Sequence, residues 1–284
     1  MNKSYVGDGK VYLIAGGGKT YADMAAKFCR SEKDVEDIIA SPQSKAILKK
    51  LVGSNHKAAL EFDDFIFGIE GYSRVTEIQL VRKRHASYMI KSGRNELNGN
   101  RAYDVVIPKE IENIKAEINL IPQIDDEHVE VYLKEGADLH AVRFKIRQLI
   151  SDLSLIKIKL STDEILNLLE GWYDAGLEAN IPEELLRYLK PQATSFKACV
   201  MMNASALRDW FMIRMCNRAQ TEIRDLVTKI YTICKEVTPE LFEGAGPSCK
   251  VLGYCPEDEQ CSLCKGKIPT KEEALNLIRM YYNK

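Results

Sequence analysis

The chain has 284 residues, with 40 Lys and Arg against 41 Asp and Glu and 45% hydrophobic residues; that is enough apolar side chain to bury a core, and unlike a disordered chain. The formal net charge of -1 argues against a dedicated nucleic-acid binder, which carries a basic excess. No apolar run of about 18 residues occurs, so no membrane span is expected, and the polar stretch Met1–Lys10 lacks the apolar core of a signal peptide; the expectation is a cytoplasmic protein.

In chain order, Lys10–Ala15 reads as a short strand ended by Gly16-Gly17-Gly18. Thr20 is placed to cap a helix to about Cys29, with Tyr21, Met24, Ala25 and Phe28 at helical spacing. A second helix is expected over Glu32–Ile39, stopped by Pro42, and a third over Ser44–Val52. From Glu61 to Arg84 the pattern is mixed, and Glu70-Gly71 disfavours one uniform strand. Ala102–Pro108 and Val129–Leu133 read as strands, and His140–Leu153 and Asp163–Tyr173 as amphipathic helices. Pro182 with Glu183 and Glu184 marks a further helix start, and Pro191 its end. Thr194–Met202 reads as extended, and Asn203–Glu236 as one long core helix. Beyond the break at Gly244–Pro247 lie a cysteine-rich tail and a closing helix over Thr270–Tyr282, whose Thr270 and Glu273 form a capping box. The fold class expected is α+β, with helices segregated from a few strands.

Three features carry chemistry. Gly16-Gly17-Gly18-Lys19-Thr20 invites a phosphate-loop reading, but that pattern needs glycine where Leu13 stands; a strand-to-helix turn using permissive glycines is the better account. Arg82-Lys83-Arg84-His85 follows directly on apolar Ile78, Leu80 and Val81, so it leaves the core rather than a polar tail. Ser92-Gly93-Arg94 then offers a hydroxyl, a close-approach backbone N–H and a guanidinium, three phosphate-binding groups in a row. On the long helix Asn203 and Arg214 fall about 20° apart on a wheel, with Arg218 one turn further. The plainer alternative leaves Asn203 as an N-cap, and Arg214 and Arg218 as exposed partners of Glu222.

These strings resemble the flavin-dependent thymidylate synthases. That family is marked by Arg-His-Arg, seven residues, then Ser; here Arg82-Lys83-Arg84 is followed after seven residues by Ser92. Ile69–Arg82 (IEGYSRVTEIQLVR) resembles the segment before the motif, and Asn203–Arg224 (NASALRDWFMIRMCNRAQTEIR) the family's later helix. The likeness runs from about Val11 to Phe242, with a less familiar stretch around Asn113–Ser161. It implies one synthase-like domain over residues 1–245 and a separate tail over 246–284. It further implies a mixed α/β fold, a sheet covered by helices, and a homotetramer with active sites at subunit interfaces. The implied reaction is reductive methylation of dUMP to dTMP, with methylene-tetrahydrofolate giving the carbon and NADPH reducing bound FAD. The small-molecule partners would be dUMP and folate, with no nucleic acid and no membrane.

By the same resemblance Gln79, Arg82, Ser92, Gly93 and Arg94 would hold dUMP together with Arg187 and Arg214; Arg82, Ser92 and Arg214 would serve catalysis. Arginines grip phosphate with paired, charge-assisted bonds, and one near the uracil carbonyl would stabilise negative charge developing on the ring. The FAD set would be His56, Glu61, Arg82, Lys83, Arg84, Asn203 and Arg218. That side departs from the family pattern. Lys83 replaces a His, Met89 and Ile90 replace Asn and Glu, Ser205 replaces an Arg, Asp209 an Asn, and Arg218 a frequent His. Losing the arginine at Ser205 removes a phosphate grip worth about 1–3 kcal/mol. Two alternatives follow from these departures: a dUMP-binding homologue that has lost FAD and catalysis, and a relative that hydroxymethylates dUMP.

Eight cysteines divide into Cys29, Cys199, Cys216 and Cys234, scattered and read as small hydrophobes, and a cluster of Cys249, Cys255, Cys261 and Cys264. With no export signal, disulfides are not expected. The cluster suits a structural Zn²⁺ site, although only Cys261 and Cys264 form a CxxC pair; an iron–sulfur cluster and a loose tail of reduced thiols are the alternatives.

Overall fold

In the computed structural model, residues 2–54, 56–92, 103–119, 144–145, 148 and 157–282 are described. The expected strand Val129–Leu133, most of the expected helix His140–Leu153, and the site residues Gly93 and Arg94 lie outside them.

The elements are β1 (Lys3–Tyr5), β2 (Lys10–Ala15), α1 (Ala22–Arg30), α2 (Val35–Ala40), α3 (Lys45–Gly53), α4 (Lys57–Leu60), β3 (Asp64–Ser73), α5 (Arg74–Leu80) and β4 (Ala86–Ile90). After them come β5 (Val105–Ile107), α6 (Lys109–Glu112), β6 (Lys115–Asn119), β7 (Lys157–Ser161), α7 (Thr162–Glu178), α8 (Glu183–Leu186) and a 3₁₀ turn (Arg187–Leu189). The chain continues with β8 (Ser195–Asn203), α9 (Ala204–Arg214), α10 (Thr221–Val237), α11 (Ser248–Leu252) and α12 (Lys271–Tyr282). The fold is mixed α/β, as expected.

A four-stranded antiparallel sheet in the order β2-β3-β8-β4 organises the main body. Alternation along β3 and β8 sends Phe65, Phe67 and Ile69, with Ala198, Val200 and Met202, to one face. There they meet Leu207 and Phe211 of α9 and Leu226 and Ile230 of α10, all fully or nearly fully buried. Each such side chain contributes about 1.5–3 kcal/mol by leaving water. Gly71, at φ +75, sits where the register of β3 against β8 shifts, so the expected interruption at Glu70-Gly71 is a bulge within one strand. A second, smaller core joins Tyr103, Val105 and Ile107 to Leu166 and Tyr173 of α7 and Leu186 of α8.

The long helix expected over Asn203–Glu236 is two helices. Residues 215–220 form a turn between α9 and α10. Gln220, with ψ 138, leaves the helical region and caps α10 by accepting from Ile223 N at 2.9 Å. Arg224 NH1 satisfies the turn by donating to the carbonyl and side-chain oxygens of Asn217 at 2.6 and 2.7 Å. A continuous helical wheel therefore does not carry from Arg214 to Arg218.

Thr20 does not cap α1. The helix begins at Ala22, and its first amides are held from afar: Tyr21 N and Ala22 N donate to the Asp63 carboxylate at 2.7 and 3.0 Å. The capping box of Thr270 and Glu273 is formed. The glycine turn after β2 is the structural turn expected: all three glycines have positive φ, a Cβ on Gly16 would lie 2.4 Å from the Asp64 carbonyl oxygen, and one on Gly17 would lie 2.6 Å from Val237 Cγ2. Among the described residues no helix is long and apolar enough to cross a membrane.

Candidate active site

The two motif strings of the sequence meet at α5 and α9. Gln79 lies in the last turn of α5, and Arg214 is the last residue of α9. Arg214 NH1 donates to Gln79 Oε1 at 3.0 Å. A half-buried guanidinium is thereby held by one of its N–H groups, and its planar fork carries four further donors.

Behind this pair stands a buried lock. Glu222, on α10, accepts the backbone N–H of Ser73 at 2.6 Å and the Ser73 hydroxyl. Ser73 is the residue at the N-cap of α5, so Glu222 completes that helix start with a charge-assisted bond. Tyr72 donates its hydroxyl to Asp225 one turn along α10 at 3.0 Å; burial, then the Asp225 charge, push that phenol far above its usual range. Together these bonds fix α5, and so Gln79, relative to α10. Sequence reasoning treated Glu222 as a surface partner of the arginines. The missed signal is its register: Glu222, Leu226, Ile230 and Cys234 fall on one stripe, and all are buried.

Of the remaining residues expected to hold a nucleotide, Arg82 lies exposed in the turn after α5 and Ser92 lies exposed just past β4. Arg187 opens the 3₁₀ turn beside the smaller core and is exposed.

The residues expected to hold a flavin are spread more widely. His56 is exposed at the start of α4 and lines a groove of about 420 Å³ between α1 and α3. Glu61 ends α4 and is exposed, as is Arg84 in the turn before β4. Asn203 is the N-cap of α9, with Oδ1 accepting Ala206 N at 2.8 Å, so the plainer cap reading holds while its amide N–H₂ stays a donor. Arg218 lies in the turn between α9 and α10 and donates to the Glu259 carbonyl of the tail at 2.7 Å, not to Glu222. The eleven residues of α9 separate Asn203 from Arg214 by about 16 Å.

Three of the substituted positions, Lys83, Ser205 and Asp209, lie near one another. Ser205 and Asp209 line a cavity of about 430 Å³ together with Lys57 and Arg208. Lys57 Nζ pairs with Asp209 Oδ1 at 2.7 Å. Burial pushes the Lys83 ammonium below the ordinary lysine value; the Asp209 carboxylate works against that shift and Lys57 adds to it. Lys83 and Asp209, each a departure from the family pattern, are thus electrostatic neighbours, and Lys57 is a third member that the sequence did not single out. Of the other departures, Met89 is 77% exposed while Ile90 packs, half-buried, against the main core; it dries the core edge rather than the cavity.

Comparison with known proteins fits this arrangement. Residues 15–240 match the model of the family described as thymidylate synthase complementing protein. A flavin-dependent thymidylate synthase of Nitratidesulfovibrio vulgaris is 33% identical over 227 residues, covering 80% of this chain and 78% of that protein. One from Pyrococcus abyssi is 34% identical over 223 residues, covering 76% and 74%. A solved structure of a UMP/dUMP methylase, PolB, from Streptomyces cacaoi bound with 5-Br dUMP superposes with a TM-score of 0.60 at 18% identity, covering 87% of this chain and 98% of that one. The fold is mixed α/β, and the family match and these relatives make the chain a thymidylate synthase-type enzyme. The chain belongs to the flavin-dependent thymidylate synthase family.

Proposed function

We propose that this enzyme carries out the reductive methylation of dUMP to dTMP, taking the carbon from methylene-tetrahydrofolate and reducing equivalents from NADPH through a bound FAD. The observation that carries the reading is the Arg214–Gln79 bond at 3.0 Å, which closes two distant motif segments onto one point and aims a guanidinium from it. Arg214, oriented by Gln79, holds dUMP and stabilises negative charge that develops on the uracil during carbon and hydride addition. Arg82 and Ser92, with Gly93, Arg94 and Arg187, complete the phosphate and sugar grip. No cysteine is assigned a nucleophilic role.

The donor set suits a flavin dinucleotide. Arg84 and Arg218 are exposed cations for an anionic pyrophosphate, the Asn203 amide is a further donor, and Lys83 supplies a cation in a partly dry setting. Flavin supplies hydride transfer when bound. With Asn203 and Arg214 about 16 Å apart along one helix, and His56 on a separate groove, the site reads as shared between copies in a homotetramer. The outer face of the sheet supports this: Tyr12, Ile14 and Met89 are more than half exposed there, an uncovered apolar surface of the kind that copies of a chain bury against each other. A cytoplasmic location fits the same reading.

A second reading is favoured by one observation: buried Ser205, at the position of a family arginine, leaves a cavity beside Asp209. That reading is a dUMP-binding protein without FAD. The visible spectrum after mixing with FAD and desalting, with and without dUMP, separates the two. Retained flavin in either sample supports the enzyme; a protein that is colourless in both samples and still binds dUMP overturns it.

A further inference from the structure

The tail is folded without a core of its own. From residue 247 to residue 282 the only buried side chains are Cys255 and Cys264, at 3% and 4% exposure. Neither hydrophobic cluster contains a residue beyond Ala245. A segment this short that buries almost no apolar surface needs another source of stability, and a metal or disulfides are the usual ones.

The chain places four thiols where a metal would supply it. Cys249, Cys255, Cys261 and Cys264 all line one cavity of about 200 Å³. Cys261 and Cys264 sit on one turn, with Cys264 N donating to the Cys261 carbonyl at 3.0 Å, and Cys264 is one of the two buried residues of the tail. Lys265 N also reaches the Cys261 carbonyl, at 3.0 Å, and Lys267 N and Ile268 N reach that of Cys264 at 3.0 Å, so tight turns carry this CxxC pair. Cys255 is carried to the cavity by a backbone bridge to the start of α12: its N–H meets the Pro269 carbonyl at 2.8 Å, and it pairs with Thr270. All four thiols are free rather than joined in disulfides.

The geometry points to a zinc site formed by Cys249, Cys255, Cys261 and Cys264, which staples the tail onto the turn between α9 and α10. Four thiolates make a closed, soft, tetrahedral set that selects Zn²⁺ over hard cations. Among the described residues no three His, Cys, Asp or Glu side chains are grouped as a ready ligand set; closing this one requires the thiols to give up their protons to water and turn inward, and metal binding drives both. Arg218 and Arg224 also line the cavity and offset the negative charge of a four-thiolate zinc site. The site stands independently of the proposed reaction. It has a structural consequence, because the same tail loop places the Glu259 carbonyl on Arg218: the metal would brace the turn that carries this arginine.

The test is metal analysis of the purified full chain after dialysis with zinc and removal of free metal. About one zinc per chain, with iron at background, is the expected result. Cys264→Ser should bring zinc to background, and Cys199→Ser, on the exposed outer sheet face, should leave it unchanged. If Cys264→Ser fails to fold, the unaltered protein decides: stripping zinc with a chelator should open residues 247–282 to limited proteolysis, and adding zinc back should close them again. Zinc at background in the unaltered protein overturns the site, as does iron in its place, a disulfide among the four cysteines found by mass spectrometry, or tail proteolysis that ignores zinc.

Discussion

Ser73 and Glu222, 149 residues apart, are joined inside the protein by two bonds to one carboxylate, through the backbone N–H at 2.6 Å and through the serine hydroxyl. One residue closes the strand that leads into helix α5; the other lies in the first turn of α10. Their bond fixes α5, which carries Gln79, against α10, the helix that follows the turn after Arg214.

Removing that carboxylate leaves the Ser73 N–H and hydroxyl without their buried acceptor. Glu222→Ala is expected to cost about 2–3 kcal/mol of stability, and Glu222→Gln, which keeps an acceptor oxygen, less. Urea unfolding midpoints measure both; an unchanged midpoint for Glu222→Ala would show that the lock is not formed.

Arg214 and Gln79 differ in what they do for a ligand. Arg214→Ala should weaken dUMP binding about tenfold or more, since it removes a charge-assisted bond. Gln79→Leu should weaken it by a smaller factor, through loss of orientation. Titration calorimetry with dUMP reads both, and equal affinities for Arg214→Ala and the unaltered protein would contradict the placement.

The titration of Lys83 should depend on the charge at Asp209. Burial holds the Lys83 value below that of an ordinary lysine while Asp209 opposes the shift, so Asp209→Asn should lower it further. The stability sign follows: between the lowered folded value and the ordinary one the unfolded chain binds more protons, so stability rises with pH through that window. The cost of the buried ammonium is fully present below the window and absent above it. NMR of ¹³C-methylated lysine checks the direction; a Lys83 value that rises in Asp209→Asn would contradict it.

The glycine turn gives a structural prediction in place of a phosphate-binding one. Gly16→Ala puts a Cβ against the Asp64 carbonyl at a positive φ and should lower stability by about 2 kcal/mol or more. Lys19→Ala should leave both stability and dUMP affinity nearly unchanged. Thermal midpoints and calorimetry decide; a large loss of dUMP affinity in Lys19→Ala would revive the phosphate-loop reading.

What the sequence made legible was local. Lys10–Ala15 forms a strand, Thr270 and Glu273 cap α12, and Ser195–Asn203 is extended, because each depends on near neighbours. The errors came from side-chain bonds, some local and some from far along the chain, that compete with the local pattern. Thr20 has the chemistry of a cap, yet Asp63, 42 residues on from Tyr21, takes that role. The 215–220 turn interrupts an otherwise helical pattern because Gln220 caps a new helix and Arg224 reaches back to Asn217, bonds that no periodicity encodes. In the site, the family resemblance named Gln79 and Arg214 for one expected ligand set but gave no sign of the bond between them. Lys57 was passed over because only the fold sets it against Asp209.

The most direct measurement of the central claim is the mass of the nucleotide produced from dUMP, isotopically labelled methylene-tetrahydrofolate, NADPH and FAD. The proposed reaction predicts dTMP whose methyl group carries the labelled donor carbon, and its loss in Arg214→Ala. A hydroxymethyl product, or dUMP recovered unchanged from a protein that retains flavin, would contradict it.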